Sequence, residues 1–311
     1  MKGQSMQGES INLAPATTAT IAANSRGALT GGVASGASIW LNLRERFARD
    51  ARLFQIVFLG CLLTVGVLWR DFTVSASQVA LTFAAALCTQ AVFIRALGLA
   101  QGVTKVGYLS AIVTAFGLSI LVRADSLWIH PLIAGIAIAA KFTLRISGKH
   151  VYNPANLGVI LAIAVLPGAW ASPGQWGNDY VLVGWVVALG IVVSARAQRF
   201  DTSLAFLITY TTLVALRVLY LGQPVAVLGH QLASGALLLF SFFMISDPMT
   251  TPNHPRARIL FAVSVAIGAF VWQFILWKPN ALVWSLFLLA PLVPLADRFM
   301  PAQRHQWQRH R

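Results

Sequence analysis

The sequence predicts an all-α membrane protein with about ten transmembrane helices, and three observations support this fold class. Of its 311 residues, 57% are hydrophobic and only 10% are charged, with a mean hydropathy of +0.71, whereas soluble globular domains carry about 25% charged residues. Long apolar stretches recur along most of the chain, and the basic residues fall mainly in the short connections between them. This distribution is typical of polytopic membrane proteins and excludes a soluble enzyme.

The first 52 residues differ in composition from the rest of the chain. Residues 1–40 are rich in Ser, Ala, Thr and Gly, and we expect a disordered cytoplasmic tail because few large apolar side chains are available for burial. Lys2 is followed by polar residues rather than by an apolar core of about 7–15 residues, so no secretory signal is predicted. Residues 41–52 (LNLRERFARDAR) are basic and amphipathic and are predicted to lie at the inner membrane surface.

Ten apolar stretches follow, and each is close to the ~20 residues that a helix needs to cross a bilayer. Of the 23 Lys and Arg residues, 19 fall in segments predicted to lie inside and four on the outer side when both termini are cytoplasmic. This bias predicts a multi-pass protein of the bacterial inner membrane with both termini in the cytoplasm. The predicted spans are 53–69, 76–94, 106–122, 127–144, 155–171, 180–195, 203–221, 226–246, 259–277 and 280–296.

The chain also shows signs of an internal repeat. Residues 110–131 and 234–255 have equal length, lie 124 positions apart and both end in His-Pro, although only four of their residues are identical. The Asn-Pro at 153–154 recurs as Lys-Pro at 278–279, at an offset of 125. Five spans in each half would invert the second half relative to the first, which predicts two inverted five-helix repeats. The predicted segments are therefore 53–172, 179–300 and a basic cytoplasmic tail at 301–311.

Two polar, proline-containing runs interrupt the apolar pattern, and both fall on the predicted cytoplasmic side. They are 147–158 (SGKHVYNPANLG) and 244–252 (MISDPMTTP). Within a bilayer, the backbone leaves the helical state only where protein or a water-filled cavity satisfies its polar groups. Two such interruptions in one membrane protein therefore predict a binding site at the interface of the repeats.

In the first run, Pro154 suits the first turn of a helix, where its missing N–H is no loss, and Asn153 is then placed to cap that helix. A helix cap is one interpretation of Asn153. The other is a binding site, since His150, Asn153 and Asn156 offer donors and acceptors beside a helix N-terminus. Such groups are suited to hold the pyrimidine edge of a flavin ring and to favour its reduced, anionic form.

In the second run, Pro248 ends the preceding span, and Asp247 is the only carboxylate nearby, with Arg256 and Arg258 following it. One interpretation is a loop ion pair combined with a helix cap. The other is a second wall of the same cofactor cavity, or of a cavity on the quinone side, to which Thr250 would also belong.

Together the two runs resemble the RnfD/NqrB family, the membrane subunits of ion-linked flavin electron-transport complexes. The resemblance continues through 278–282 (KPNAL) and 289–298 (LAPLVPLADR) and covers roughly 105–300. It implies a non-covalent flavin, riboflavin or FMN, and other subunits of an electron-transport complex as partners. Asn153 matches a position whose amide contacts riboflavin in NqrB-type members, and His150 stands at another, where Asn is common. The cofactor-binding residues that the resemblance implies are Lys149, His150, Asn153, Asn156, Asp247 and Thr250.

One departure from the family pattern affects the expected cofactor. RnfD and NqrB carry FMN esterified to a Thr or Ser in a Ser-Gly-Ala-Thr-like loop on the outer side, whereas the corresponding connection here, 172–179 (SPGQWGND), has no such motif. The letters SGAS occur at 35–38, but in the predicted tail on the opposite face. We therefore expect no covalent FMN, and a flavin-bearing partner on the outer face that supplies or receives electrons.

The remaining composition limits what this chain does alone. No Asp or Glu falls in the middle of a predicted span, and ion relays usually need intramembrane carboxylates, so ion translocation by this chain alone has little support. Cys61 and Cys88 are too few to ligate an iron–sulfur cluster within the chain. The net charge of +14 reflects basic loops that face a lipid bilayer rather than a nucleic acid.

Two hypotheses of function follow. The first is an inner-membrane subunit of a flavin-dependent electron-transport complex, which passes electrons across or along the membrane with or without coupling to ion transport. Such a subunit belongs to a redox complex and is not a stand-alone enzyme. The second is a solute channel or secondary transporter built on the same inverted repeat, because a fold alone does not fix function.

Overall fold

The computed structural model describes residues 50–69, 73–99, 101–172 and 180–305, with the backbone alone at 101–106 and 180–182. The predicted tail at 1–40, almost all of the basic segment 41–52, most of the 172–179 connection and residues 306–311 lie outside the described residues.

In the first half, the described residues form five helices and two short antiparallel strand pairs. The helices are α1 (Ala51–Trp69), α2 (Ala76–Ala96), α3 (Gln101–Leu121), α4 (Ile129–Thr143) and α5 (Pro154–Val165). Strand β1 (Val122–Ala124) pairs with β4 (Ala169–Ala171), and β2 (Arg145–Ile146) pairs with β3 (Lys149–His150).

The second half contains two helices that are interrupted and two that end in a π-helical turn. Its elements are α6 (Tyr180–Arg196), α7 (Phe200–Tyr220), α8 (Val225–Leu232), α9 (Gly235–Leu239), α10 (Pro255–Phe270), α11 (Ala281–Leu289) and α12 (Leu292–Phe299). Helix α9 continues as the π-helix Phe240–Met244, and α10 continues as Val271–Ile275. The chain bends by 53° between α8 and α9 and by 49° between α11 and α12.

Helices therefore occur at each of the ten predicted spans, but not all of them are long. By length and apolar composition, four described helices are able to cross a membrane, and the number rises to six if each bent pair forms one span. The predicted class, an all-α membrane protein, is confirmed by these helices. The count of ten spans stays a prediction. The four long helices are α1, α2, α7 and α10 with its π-helical turn.

The fifth predicted span is wrong in its length. One helix is predicted over residues 155–171, whereas α5 ends at Val165 and the chain turns into β4. Pro167 explains the end, because a residue before proline is driven out of the helical region, and Leu166 has the extended backbone angles φ −102° and ψ 118°. Helix α5 has 12 residues and is about 18 Å long, roughly half of what a bilayer requires.

Local sequence accounts for several helix starts. Ser75 and Gln78 form a reciprocal capping box at the start of α2, with bonds of 3.1 and 3.0 Å. Proline occupies the first turn of both α5 and α10, where it removes no intrahelical hydrogen bond. These starts depend on neighbouring residues alone.

The two halves have the same order of helix neighbours. In the first half α2 packs against α3 and α4, α4 against α5, and α1 against α3. In the second half α7 packs against α8 and α10, α10 against α11, and α6 against α9. Contacts between the halves join α1 to α6 and α5 to α11, so the helices at the first and at the fifth predicted span of each half meet their counterparts.

Small residues let these helices approach closely. Gly190 in α6 faces the π-helical turn after α9, and a Cβ added at Gly190 would lie 2.6 Å from two ring atoms of Phe242. Close packing of small residues replaces the hydrophobic effect as a source of stability where helices associate within a membrane.

We expect Gly190→Ala to lower the free energy of unfolding by about 1–3 kcal/mol, because the added methyl group overpacks against Phe242. Gly184→Ala on the same helix is the matched control, since nothing lies within 4 Å of its added Cβ. Thermal unfolding in detergent, followed by tryptophan fluorescence, compares the two variants. Equal melting temperatures would contradict the packing assigned to α6.

Candidate functional site

The two polar runs of the sequence meet in the structure at the start of α5. A hairpin formed by β2 and β3 precedes α5, and its two-residue turn places Ser147 at φ 49° and Gly148 at φ 78°. Positive φ angles at both turn residues are the geometry of a tight hairpin turn that matches the twist of the strands. As a result Lys149 and His150 are both buried and lie beside the second run.

The carboxylate of Asp247 lies at the centre of this meeting point. Its Oδ2 accepts a hydrogen bond from Asn153 Nδ2 at 3.1 Å and lies 3.7 Å from His150 Nε2. Its Oδ1 accepts the backbone N–H of Met249 at 2.9 Å. Burial alone would raise the pKa of Asp247, but the His150 ring, the Met249 amide and the Thr250 hydroxyl together hold that pKa below its ordinary value. Asp247 is therefore ionised at neutral pH.

Asn153 acts as the cap of α5, as one of its two interpretations predicted. Its Oδ1 accepts the backbone N–H of Asn156 at 3.1 Å while its Nδ2 donates to Asp247. An asparagine amide has two donor hydrogens and two acceptor lone pairs, and these bonds use one of each. The cap therefore leaves half of the hydrogen-bonding capacity of Asn153 for a further partner.

Asn156 connects α5 to α11 of the second half. Its Nδ2 donates to the carbonyl oxygen of Val283 at 3.2 Å, and nearby Tyr152 stacks on Phe287 with ring centroids 4.8 Å apart. The Asn156 side chain is buried, and its Oδ1 has no hydrogen-bond partner within the described part of the chain. A buried polar atom without a partner costs free energy, so this acceptor is available to a further hydrogen-bond donor.

Lys149 is held by the second run and by the last helix. Its Nζ lies 2.8 Å from Asp297 Oδ2 on α12 and also donates to the carbonyl oxygen of Thr251. Burial lowers the pKa of Lys149, although the hydrogen bond and charge of Asp297 oppose that shift. Asp297 Oδ1 in turn accepts the backbone N–H of Asn253 at 2.7 Å. Lys149 therefore joins the hairpin to the last helix rather than presenting a free positive charge.

Thr250 is buried beside these residues, and its backbone N–H donates to the Asp247 carbonyl oxygen at 3.1 Å. The structure thus brings all six predicted residues into one connected cluster. Five further polar residues belong to its surroundings, and the sequence patterns predicted a binding role for none of them. They are Arg199, Asp201, Thr251, Asn253 and Asp297.

One signal for the missed residues is present in the sequence. Asp201 and Asp297 are two of only nine acidic residues in the chain, and each lies at the end of an apolar stretch on the same predicted side as the polar runs. The structure pairs Asp201 with Arg258 at 2.6 Å and Asp297 with Lys149. In a chain this poor in acids, an acid beside a span end is a candidate partner for a buried cation.

Comparison with known proteins gives one family and several relatives. Residues 169–306 match the model of the NQR2, RnfD, RnfE family, which confirms the predicted resemblance over that segment. Proteins named as a subunit of an ion-translocating oxidoreductase complex, from Salmonella paratyphi B, Salmonella newport and Salmonella heidelberg, are each 27% identical over 141 residues. The match covers 45% of this chain and 39% of each relative.

The matched segment contains part of the cluster. Asp247, Thr250 and Asp297 fall within residues 169–306, whereas the hairpin and the start of α5 do not. The hydrogen bonds and ion pairs of the cluster therefore link a family-like half to a half that the match does not reach.

The Lys149–Asp297 pair gives a direct test of the cluster. We expect Asp297→Asn to lower the free energy of unfolding by roughly 3 kcal/mol, because it leaves a buried ammonium without its counterion. The matched control is Asp125→Asn, since Asp125 is exposed on the surface. Unfolding in a denaturing detergent measures both losses.

A double variant completes this test. Lys149→Met combined with Asp297→Leu removes both charges. Its loss of unfolding free energy should be smaller than the sum of the losses for Lys149→Met alone and Asp297→Leu alone. Additive losses, or equal losses for the Asp297 and Asp125 variants, would show that the pair has no structural role.

Proposed function

We propose that this protein is an integral membrane subunit of an ion-translocating oxidoreductase complex, because residues 169–306 match the NQR2, RnfD, RnfE family. The four to six helices able to span a membrane support an integral position. The basic loop residues support an inner-membrane location with both termini in the cytoplasm. In this role the chain holds a redox cofactor between partner subunits and does not act alone.

We propose a non-covalent flavin, riboflavin or FMN, as that cofactor, and the unpartnered Oδ1 of Asn156 is the observation that carries the proposal. A flavin ring presents one N–H donor between two carbonyl acceptors along its pyrimidine edge. Asn156 Oδ1 provides a buried acceptor, while the second Nδ2 hydrogen of Asn153 and the His150 ring provide donors. The donor and acceptor set of these residues therefore fits a flavin.

The electrostatics of the site support the same assignment. The N-terminus of α5 carries the positive end of the helix dipole, which favours a negative charge beside Asn153. Asp247 would oppose such a charge, but His150 lies 3.7 Å from its carboxylate and Asn153 donates to it. When bound, a flavin would supply one- and two-electron transfer, and the protein would orient the ring and tune its potential.

The proposed arrangement of the chain is two inverted five-helix repeats, 53–172 and 179–300. The shared order of helix neighbours supports it, as does the meeting of α5 with α11. Both α5 and α11 are short and begin beside a proline, at Pro154 and after Pro279. Binding sites in repeat-built membrane proteins lie where such half-helices meet at the interface of the repeats.

We further propose that covalent FMN is absent from this chain and that a flavin-bearing partner on the outer face takes its place. The lack of a Ser-Gly-Ala-Thr-like motif in the 172–179 connection supports this. A cofactor at Asn156 would then exchange electrons with one partner on the cytoplasmic side and another on the outer side.

A solute channel or secondary transporter is the second candidate function. The bends between α8 and α9 and between α11 and α12 favour it, since interrupted helices line substrate sites in many transporters. The two candidates differ in one observable, because a transporter needs no chromophore.

The visible absorption spectrum of the detergent-purified protein, recorded before and after acid precipitation, tests the proposal. Yellow colour released into the supernatant is the expected result, since it identifies a non-covalent flavin. Colour that stays with the pellet would contradict the absence of covalent FMN. A colourless protein that conducts a small solute in vesicles would favour the second candidate.

Variants at the start of α5 locate the cofactor. We expect Asn156→Leu to abolish flavin retention, because it removes the unpartnered acceptor. Asn153→Leu should also abolish it, but a leucine removes the helix cap at a cost of about 1 kcal/mol. Asn153→Ser keeps a capping side chain while it removes the amide, so it separates the loss of flavin from the loss of the cap.

The matched control is Asn280→Gly at the start of α11. Asn280 has a left-handed backbone conformation, which glycine adopts readily, and its side chain makes no capping hydrogen bond. Flavin content per folded protein is measured from absorbance after gel filtration. Unchanged flavin content in both the Asn156 and the Asn153 variants would overturn the site.

A further inference from the structure

A polar cavity of about 860 Å³ lies between the starts of α7 and α10 and the chain after α12. Arginine dominates its walls, and no acid is among the described residues that line it. The lining residues include Gln198, Arg199, Asn253, Arg258, Arg304 and His305.

Arg199 is a buried arginine in the wall of this cavity, and its described hydrogen-bond partners are all uncharged. Its Nε donates to Thr251 Oγ1 at 3.2 Å and its Nη1 to the Gln198 carbonyl oxygen at 2.9 Å. Among the described residues, no carboxylate lies within ion-pair distance of it. Only 4% of Arg199 is exposed, and a buried charge is normally paired with an opposite charge.

The carboxylates nearby are already engaged. Asp201 is bound by Arg258, with bonds of 2.6 and 3.0 Å, and Asp297 is bound by Lys149. The cavity therefore keeps a positive excess at Arg199 and Arg304. Helices α7 and α10 begin at its wall and add the positive ends of their dipoles.

The directions of two pKa shifts agree with a positive cavity. Burial and the neighbouring Arg258 lower the pKa of Arg199 to about 10. Burial and the charge of Arg199 lower the pKa of His305 to about 4. Both shifts mean that a further positive charge is disfavoured here, and both would be relieved by a bound anion.

We propose that this cavity binds a phosphate-type oxyanion, with Arg199 as its central ligand and Arg304 closing the site from the chain end. A guanidinium presents a planar fork of donors that matches phosphate oxygens. The volume exceeds that of a single phosphate and is in the range of small-molecule sites, so the cavity has room for a phosphoryl group carried by a larger molecule. Its source is a soluble phosphorylated metabolite or a phospholipid headgroup.

The test uses inorganic phosphate as the probe and the full-length protein in phosphate-free detergent buffer. We expect phosphate, added at constant ionic strength, to raise the melting temperature in a saturable manner, as mass action requires for a ligand of the folded state. Arg199→Gln should lose this response. Arg304→Gln should need about tenfold more phosphate, because it removes one charge-assisted contact.

Arg256→Gln is the matched control. Arg256 is an exposed arginine in the first turn of α10 that does not line the cavity, so its variant should respond as the wild type does. Arg304 is also exposed, which keeps the test valid if the buried Arg199 variant fails to fold. Flavin content, measured on the same samples, should be unchanged in the Arg304 variant, so this site succeeds or fails independently of the flavin site.

A second arm distinguishes the two sources of the anion. The protein is reconstituted in vesicles of phosphatidylcholine alone and in vesicles with added phosphatidylglycerol. Stabilisation by phosphatidylglycerol that Arg304→Gln abolishes would assign the site to a lipid headgroup, and a response to phosphate alone would assign it to a soluble ligand. A wild type that responds to neither, or variants at 199 and 304 that respond as the wild type does, would overturn the proposal.

Discussion

The polar cluster depends on the hydrogen bonds that the carboxylate of Asp247 accepts. Two segments of backbone leave the helical state and contact each other here, and their buried polar groups need hydrogen-bond partners. Asp247 accepts hydrogen bonds from Asn153 and from the Met249 amide and lies beside His150. One ionised side chain thus fixes its own loop and the start of α5, which are 94 residues apart in sequence.

Two further ion pairs extend this arrangement. Lys149 with Asp297 and Arg258 with Asp201 form two ion pairs, and each pair joins parts of the chain that are remote in sequence. Removing water from a charge is costly unless a partner and further hydrogen bonds replace it. The pairs therefore favour one arrangement of the loops, and the Asn156 acceptor and the cavity beside Arg199 are among the polar features that it leaves without a partner in the described part of the chain.

The sequence predicted the local features and the meeting of the two polar runs, but not most of the side-chain pairs between distant residues. Apolar length located the helices, and Pro154 with Asn153 located the start and the cap of α5, because these depend on neighbouring residues only. The early end of α5 was missed because Pro167 and Gly168 lie in an otherwise apolar window. The break between α8 and α9 was also missed, because no proline lies near Ala233 to indicate it. The partners of Lys149 and Arg199 depend on tertiary contacts, which no spacing in the sequence encodes.

The pairing of Lys149 with Asp297 also has a consequence for the order of assembly. The two residues are 148 positions apart, and a chain is synthesised from its N-terminus, with earlier parts folding first. The hairpin is therefore complete long before its counterion leaves the ribosome. Until α12 has been synthesised, the Lys149 ammonium lacks this counterion, and burying it is unfavourable. The contact between the hairpin and α12 therefore forms only after almost the whole of the described chain has been synthesised.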